Sequence, residues 1–179
     1  MIEVKDKQFR SYLSRAEISV QVDRVAKELM ESYSDKKPFF LGVLNGSFMF
    51  MSDLMKEFSA SCEIGFVKAA SYEGMETTGV VKFHEAGKLP IAGRDVIIVE
   101  EIIDTGNTLD ALTNFLNRYE PKSVSVCTLL FKKEAYLHSY PIDYVCFDVE
   151  NKFLLGYGLD YDGYGRNIPE VFILNESND

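Results

Sequence analysis

The sequence predicts an α/β fold in one domain, and three stretches carry that expectation. Val96-Ile97-Ile98-Val99 is a β-branched run of the kind that fills a strand buried on both faces. It leads through an acidic loop into Leu109, Leu112, Phe115 and Leu116, which recur at helical spacing. Phe39 to Leu44 is a second apolar strand, closed by Asn45-Gly46-Ser47 and followed by a helix from about Phe48 to Phe58. Ser123 to Phe131 is a third strand. The 179 residues suffice for one domain with a sizeable core and are too few for two ordinary ones.

Composition narrows the function. Hydrophobic residues make up 46% and charged residues 26%, the balance of a globular protein rather than a disordered or fibrous one. No apolar run approaches a membrane span. The first residues, MIEVKDKQFR, hold no apolar signal region, so the expected location is the cytoplasm. The net charge is −9, with no long Lys/Arg cluster, which argues against a nucleic-acid partner. An anionic substrate must therefore be held by local N–H groups, a few cations and metal ions. Cys62, Cys127 and Cys146 are odd in number, widely spaced and in apolar contexts. They are expected to be buried free thiols rather than a disulfide or a zinc set.

Taken in order, residues 15–33 read as a helix, because Ile18, Val22, Val25 and Leu29 share one face of a 3.6-residue period. Ser14 is its expected N-cap, with Glu17 completing a capping box. Asp35-Lys36-Lys37-Pro38 breaks the pattern before the Phe39 strand. Phe48-Met49-Phe50-Met51 is either core or a subunit contact. Cys62 to Ala70 alternates as a strand. A polar, glycine-containing loop from Ser71 to Gly79 follows, then Val80 to Phe83, and a connection from His84 to Gly93. The helix of the central stretch closes near Tyr119, before Pro121. Asp143 to Val149 and Val171 to Leu174 are the remaining strands.

The chemistry concentrates where strands end. Strand, small polar turn, helix leaves free backbone N–H groups at a positive dipole end, which suits a phosphate. Glu100, Glu101 and Asp104 would repel one unless they hold a divalent cation or face another part of the ligand. A phosphate cup beside a carboxylate pair fits a ligand with a phosphate at one end and sugar hydroxyls in the middle. Lys132 ends the Ser123 strand, and in an open α/β sheet the carboxyl ends of strands line the ligand crevice.

The stretch EEIIDTGNTL resembles the phosphoribosyl-diphosphate motif of the type I phosphoribosyltransferases, and its Ile102-Ile103 pair resembles the hypoxanthine-guanine branch. Asn151 to Arg166, NKFLLGYGLDYDGYGR, is similar to the purine-binding segment of that branch. The Asn45-Gly46 turn and the Ser71-Tyr72 loop start precede both, so four motifs stand in family order over roughly residues 10 to 175. The resemblance implies a single type I phosphoribosyltransferase domain over residues 1–179. Its core, about 35–150, would be a mainly parallel sheet flanked by helices, with a small hood from about 1–14 and 151–179.

The implied reaction is purine salvage: transfer of the 5-phosphoribosyl group from phosphoribosyl diphosphate to N9 of hypoxanthine or guanine, releasing diphosphate. By the same resemblance Asp104, Thr105, Gly106, Asn107 and Thr108 bind the 5-phosphate. Some relatives carry Lys or Arg at the position of Asn107. Glu100 and Glu101 face the ribose hydroxyls and magnesium, although human-type enzymes have the shorter Asp at the second position. Leu44, Asn45 and Gly46 bind diphosphate, often through a non-proline cis peptide, here Leu44–Asn45. Human-type enzymes have Lys where this chain has Asn45. Arg166 contacts the diphosphate, and a second magnesium, held largely by substrate, would meet Asp160. Asp104 is the implied general base or acid. Lys132 reads the purine 6-oxo group, Phe153 stacks on the base, and Leu154 and the Asp160 region read its other edge. Ser71 and Tyr72 begin a lid. The family forms homodimers and homotetramers. Two alternatives stay open: the same fold preferring xanthine or guanine, decided at purine C2, and a non-catalytic nucleotide-sensing regulator.

Overall fold

The computed structural model describes residues 1–71, 81–85 and 89–175. In chain order the elements are β1 (Ile2–Val4), β2 (Lys7–Leu13), α1 (Arg15–Tyr33), β3 (Phe39–Leu44), α2 (Phe48–Glu57), β4 (Glu63–Ser71), β5 (Val81–Glu85), β6 (Asp95–Ile103), α3 (Asn107–Leu116), β7 (Ser123–Phe131), β8 (Tyr144–Asp148), β9 (Leu154–Leu155) and β10 (Val171–Leu174). A 3₁₀ turn, Asn117–Tyr119, closes α3.

Six strands form the main sheet in the order β5-β4-β3-β6-β7-β8, parallel throughout except for the antiparallel edge pair β4–β5. The β-branched run of β6 explains its central place: Val96, Ile97, Ile98 and Val99 are all fully buried. Alternation then divides them between two cores. Ile97 and Val99 face α1 and α2, packing with Val25, Leu29, Phe50 and Leu54. Val96 and Ile98 face α3, packing with Leu109, Leu112 and Leu116. The helix after β3 and the helix after β6 thus lie on opposite faces, which makes the gap between these two strands a topological switch point.

Helix α1 starts as its sequence predicts, with Ser14 and Glu17 forming the reciprocal capping box. A second, smaller sheet joins the two chain ends in the order β1-β2-β10-β9, sealed by Phe9, Leu155 and Phe172.

Some boundaries differ from expectation. Strand β5 continues to Glu85 because His84 and Glu85 pair with Lys68 and Val67, so the following connection starts later than His84. Of the apolar stretch after β3, Phe50 and Met51 are core while Phe48 is 43% exposed. All three cysteines are free; Cys127 and Cys146 are buried, but Cys62 is only partly covered. No helix among the described residues is long and apolar enough to cross a membrane.

Candidate active site

A cleft of about 420 Å³ opens at the carboxyl ends of β3 and β6, over the switch point. Its lining includes Leu44, Asn45, Gly46, Glu100, Glu101, Asp104, Thr105, Gly106, Asn107, Thr108, Asp160 and Arg166. Residues separated by more than a hundred positions are therefore brought together.

One wall is the start of α3. Gly106 is its N-cap in the left-handed region (φ +85°), a conformation that suits a residue without Cβ. The first helical bond runs from Asp110 N–H to the Gly106 carbonyl. The N–H groups of Asn107, Thr108 and Leu109 precede that ladder and point out of the helix end. The opposite wall is the Leu44–Gly46 turn, where the Leu44–Asn45 peptide is cis.

Between them lies the carboxylate pair. Glu100 is buried within β6, which runs on to Ile103 in place of the acidic loop expected after Val99, and burial, reinforced by the Glu101 charge, raises its carboxyl well above the usual range. Glu101 is pushed up to about 7, chiefly by burial, with Asp160 adding to the rise and Arg166 opposing it. Its Oε2 has no hydrogen-bond partner among the described residues, and neither has the buried Ser47 Oγ. Glu101 packs so closely on the turn that a Cβ at Gly46 would overlap its carboxylate.

These two carboxyls hold protons in the folded chain that the unfolded chain releases. Their contribution to the stability of the metal-free protein is therefore fully present below about pH 4.5 and is lost as pH rises through about 7. Calorimetry at steps across that window is expected to show a falling melting temperature, and Glu101→Gln should flatten the fall.

The loop between β9 and β10 supplies the third wall. Arg166 donates to the Gly158 carbonyl at 2.7 Å and pairs with Asp160 at 2.7 Å. Asp160 also accepts from Gly163 N–H at 2.7 Å. Gly158 (φ +101°) lies directly on the turn of the opposite wall, where a Cβ would overlap the Gly46 carbonyl oxygen. Gly158→Ala is expected to cost about 1–3 kcal/mol from backbone strain, with the overlap adding to it. Urea denaturation would measure that loss.

Lys132, Phe153 and Leu154 stand outside the cleft's lining. Lys132 is buried but reaches the cleft through Asp104, with Nζ 2.7 Å from its Oδ2. Phe153 is 44% exposed and meets Tyr161 edge-on, with centroids 5.8 Å apart. Leu154 is buried in β9, so only its backbone can serve a ligand. Ser71 ends β4, while Tyr72 and the rest of the expected lid lie outside the described residues.

The structure adds residues that sequence reading missed. Lys68 and Ala69 line the cleft from β4. The segment after Lys132 braces the phosphate-cup turn: Leu137 N–H donates to the Thr105 carbonyl at 3.0 Å, and His138 Nε2 lies 2.9 Å from Asn107 Oδ1. The only signal for Lys68 was its place as the single cation near the carboxyl end of an apolar strand. Nothing local marked His138.

The fold and cleft define an α/β protein with an anion-receiving helix end at the carboxyl edge of its sheet. The family model for the phosphoribosyl transferase domain matches residues 10–162. A hypoxanthine-guanine phosphoribosyltransferase of Aquifex aeolicus is 36% identical over 178 residues, covering 98% of this chain and all of the relative. A hypoxanthine phosphoribosyltransferase of Escherichia coli is 39% identical over 170 residues, covering 92% of this chain and 96% of the relative. A hypoxanthine-guanine phosphoribosyltransferase structure from Bacillus anthracis superposes with a TM-score of 0.86 at 31% identity, covering 94% of this chain and 98% of that one. The chain belongs to the phosphoribosyltransferase family, in its hypoxanthine-guanine branch.

Proposed function

We propose that this chain transfers the 5-phosphoribosyl group from phosphoribosyl diphosphate to N9 of hypoxanthine and guanine, yielding IMP or GMP and diphosphate. The observation that carries the reading is the switch-point cleft, which sets a phosphate-receiving helix end, a buried carboxylate pair and a guanidinium around one space. Its relatives' names point to the same reaction.

In this reading the N–H groups and hydroxyls from Asp104 to Thr108 hold the 5-phosphate. Glu100 and Glu101 take the ribose hydroxyls. The Leu44–Gly46 turn and Arg166 receive the diphosphate, Arg166 as a planar donor. N9 attacks the anomeric carbon as the bond to diphosphate breaks, and the Asp104 carboxylate takes the proton the purine must shed. Lys132 orients that carboxylate and donates to the 6-oxo group, Phe153 stacks on the ring, and the backbone near Leu154 and Asp160 meets the opposite edge. Ser71 and Tyr72 begin a lid that excludes water from the activated sugar.

The residues fit magnesium. Two buried carboxyls with an unpartnered oxygen ask for a cation, and no cluster of three or more such ligands occurs among the described residues. Magnesium is usually held by one or two carboxylates, with water and substrate phosphate completing its shell. Glu100, Glu101 and Asp160 would hold two ions, one largely through substrate, and magnesium there would act as a Lewis acid toward the leaving diphosphate. Free thiols support a reducing compartment, the cytoplasm.

The test is steady-state turnover with phosphoribosyl diphosphate, magnesium and each of hypoxanthine, guanine, xanthine and adenine. Rapid use of hypoxanthine and guanine, with adenine transfer barely measurable, is expected. Absence of transfer to every base would overturn the reading.

A further inference from the structure

We infer that Lys68 is a diphosphate-binding residue, the cation that completes the Leu44–Gly46 turn; this rests on the reading that the cleft takes phosphoribosyl diphosphate. Four acidic side chains, Glu100, Glu101, Asp104 and Asp160, line the cleft, and among the described residues only Lys68 and Arg166 line it as cations. Arg166 is already committed to Asp160 and the Gly158 carbonyl. Lys132 is committed to Asp104. Lys68 makes no ion pair with another described residue, and the chain's net charge of −9 supplies no attracting field. A leaving group that gathers negative charge as its bond breaks needs a cation that is free to meet it.

Register places Lys68 where that charge develops. Strands β3 and β4 run parallel, and Leu44 stands opposite Lys68 in the ladder. Both residues are near the carboxyl ends of their strands, so the ammonium borders the turn whose next residues are Asn45 and Gly46. Asn45 has no charge to offer. The neighbouring strand provides one, through a four-carbon stem long enough to follow the diphosphate as it leaves.

The experiment compares wild type with Lys68→Ala, Lys68→Gln and Lys68→Arg. Binding of inorganic diphosphate with magnesium, and separately of IMP, is measured by calorimetry. Lys68 is exposed, so these variants leave the core untouched. Diphosphate affinity is expected to fall about tenfold in the Ala and Gln variants and to be restored largely by Arg. IMP, which lacks diphosphate, should bind all four proteins alike. Unchanged diphosphate affinity in Lys68→Ala would overturn the assignment, as would an equal loss for IMP, which would mark a general field effect. Wild-type protein whose diphosphate affinity depends on Lys68 but which transfers no phosphoribosyl group would uphold this residue's role and overturn the proposed function alone.

Discussion

Asp104→Asn is expected to lower turnover of hypoxanthine by about two to four orders of magnitude, the usual worth of a positioned proton-transfer group. The substitution is close to isosteric. Asp104 follows β6 directly and is half-exposed, so the change creates no cavity in the core. An Asn oxygen can still accept from Lys132 Nζ, now 2.7 Å from the carboxylate, which keeps the local geometry. It cannot take a proton. Turnover measured at saturating purine and phosphoribosyl diphosphate isolates the chemical consequence from weakened binding. A melting temperature close to wild type would show that the fold survives. Near-normal turnover would remove Asp104 from the proton-transfer role and leave it as an anchor for Lys132.

Much of this architecture was legible where local and tertiary demands agree. Val96 to Val99 has no polar position to spare, so it reads as a strand covered on both faces, and both faces are covered. The first helix carries its own start signal in Ser14 and Glu17 and its own buried face. The small sheet was not legible from its residues. Lys7 to Leu13 mixes charge and apolar character, and its strand state is set by pairing with Val171 to Leu174, more than 150 residues away. Leu154-Leu155 is too short to show a period. The cleft divides in the same way. Glu100 to Thr108 forms a continuous strand–turn–helix, so its chemistry is readable from one stretch. Lys68 reads locally as the solvated position of an alternating strand. Only its register opposite Leu44 brings it to the cleft. Lys132 falls between, since a strand-ending lysine gains meaning once the sheet's carboxyl edge is taken as the ligand side.

Lys132→Ala is expected to reduce kcat/KM for hypoxanthine by about 5- to 150-fold, the equivalent of roughly 1–3 kcal/mol for a lost buried hydrogen-bond donor. Lys132 is only 8% exposed, and in the free protein its ammonium is satisfied by Asp104. Truncation therefore does two things. It frees the Asp104 carboxylate, which harms every purine by the same mechanism. It also removes the donor that meets the 6-oxo group, which harms only 6-oxopurines. Adenine presents a donor at that position and opposes the ammonium, so removal of the donor itself costs it nothing. The informative quantity is the ratio of kcat/KM for hypoxanthine to that for adenine. Loss through Asp104 alone lowers both terms and leaves the ratio where it was. A ratio that narrows in Lys132→Ala, and also in Lys132→Met where the stem volume is kept, assigns the 6-substituent to this side chain. An unchanged ratio in both variants would place purine discrimination elsewhere in the site, with Lys132 serving only to hold Asp104.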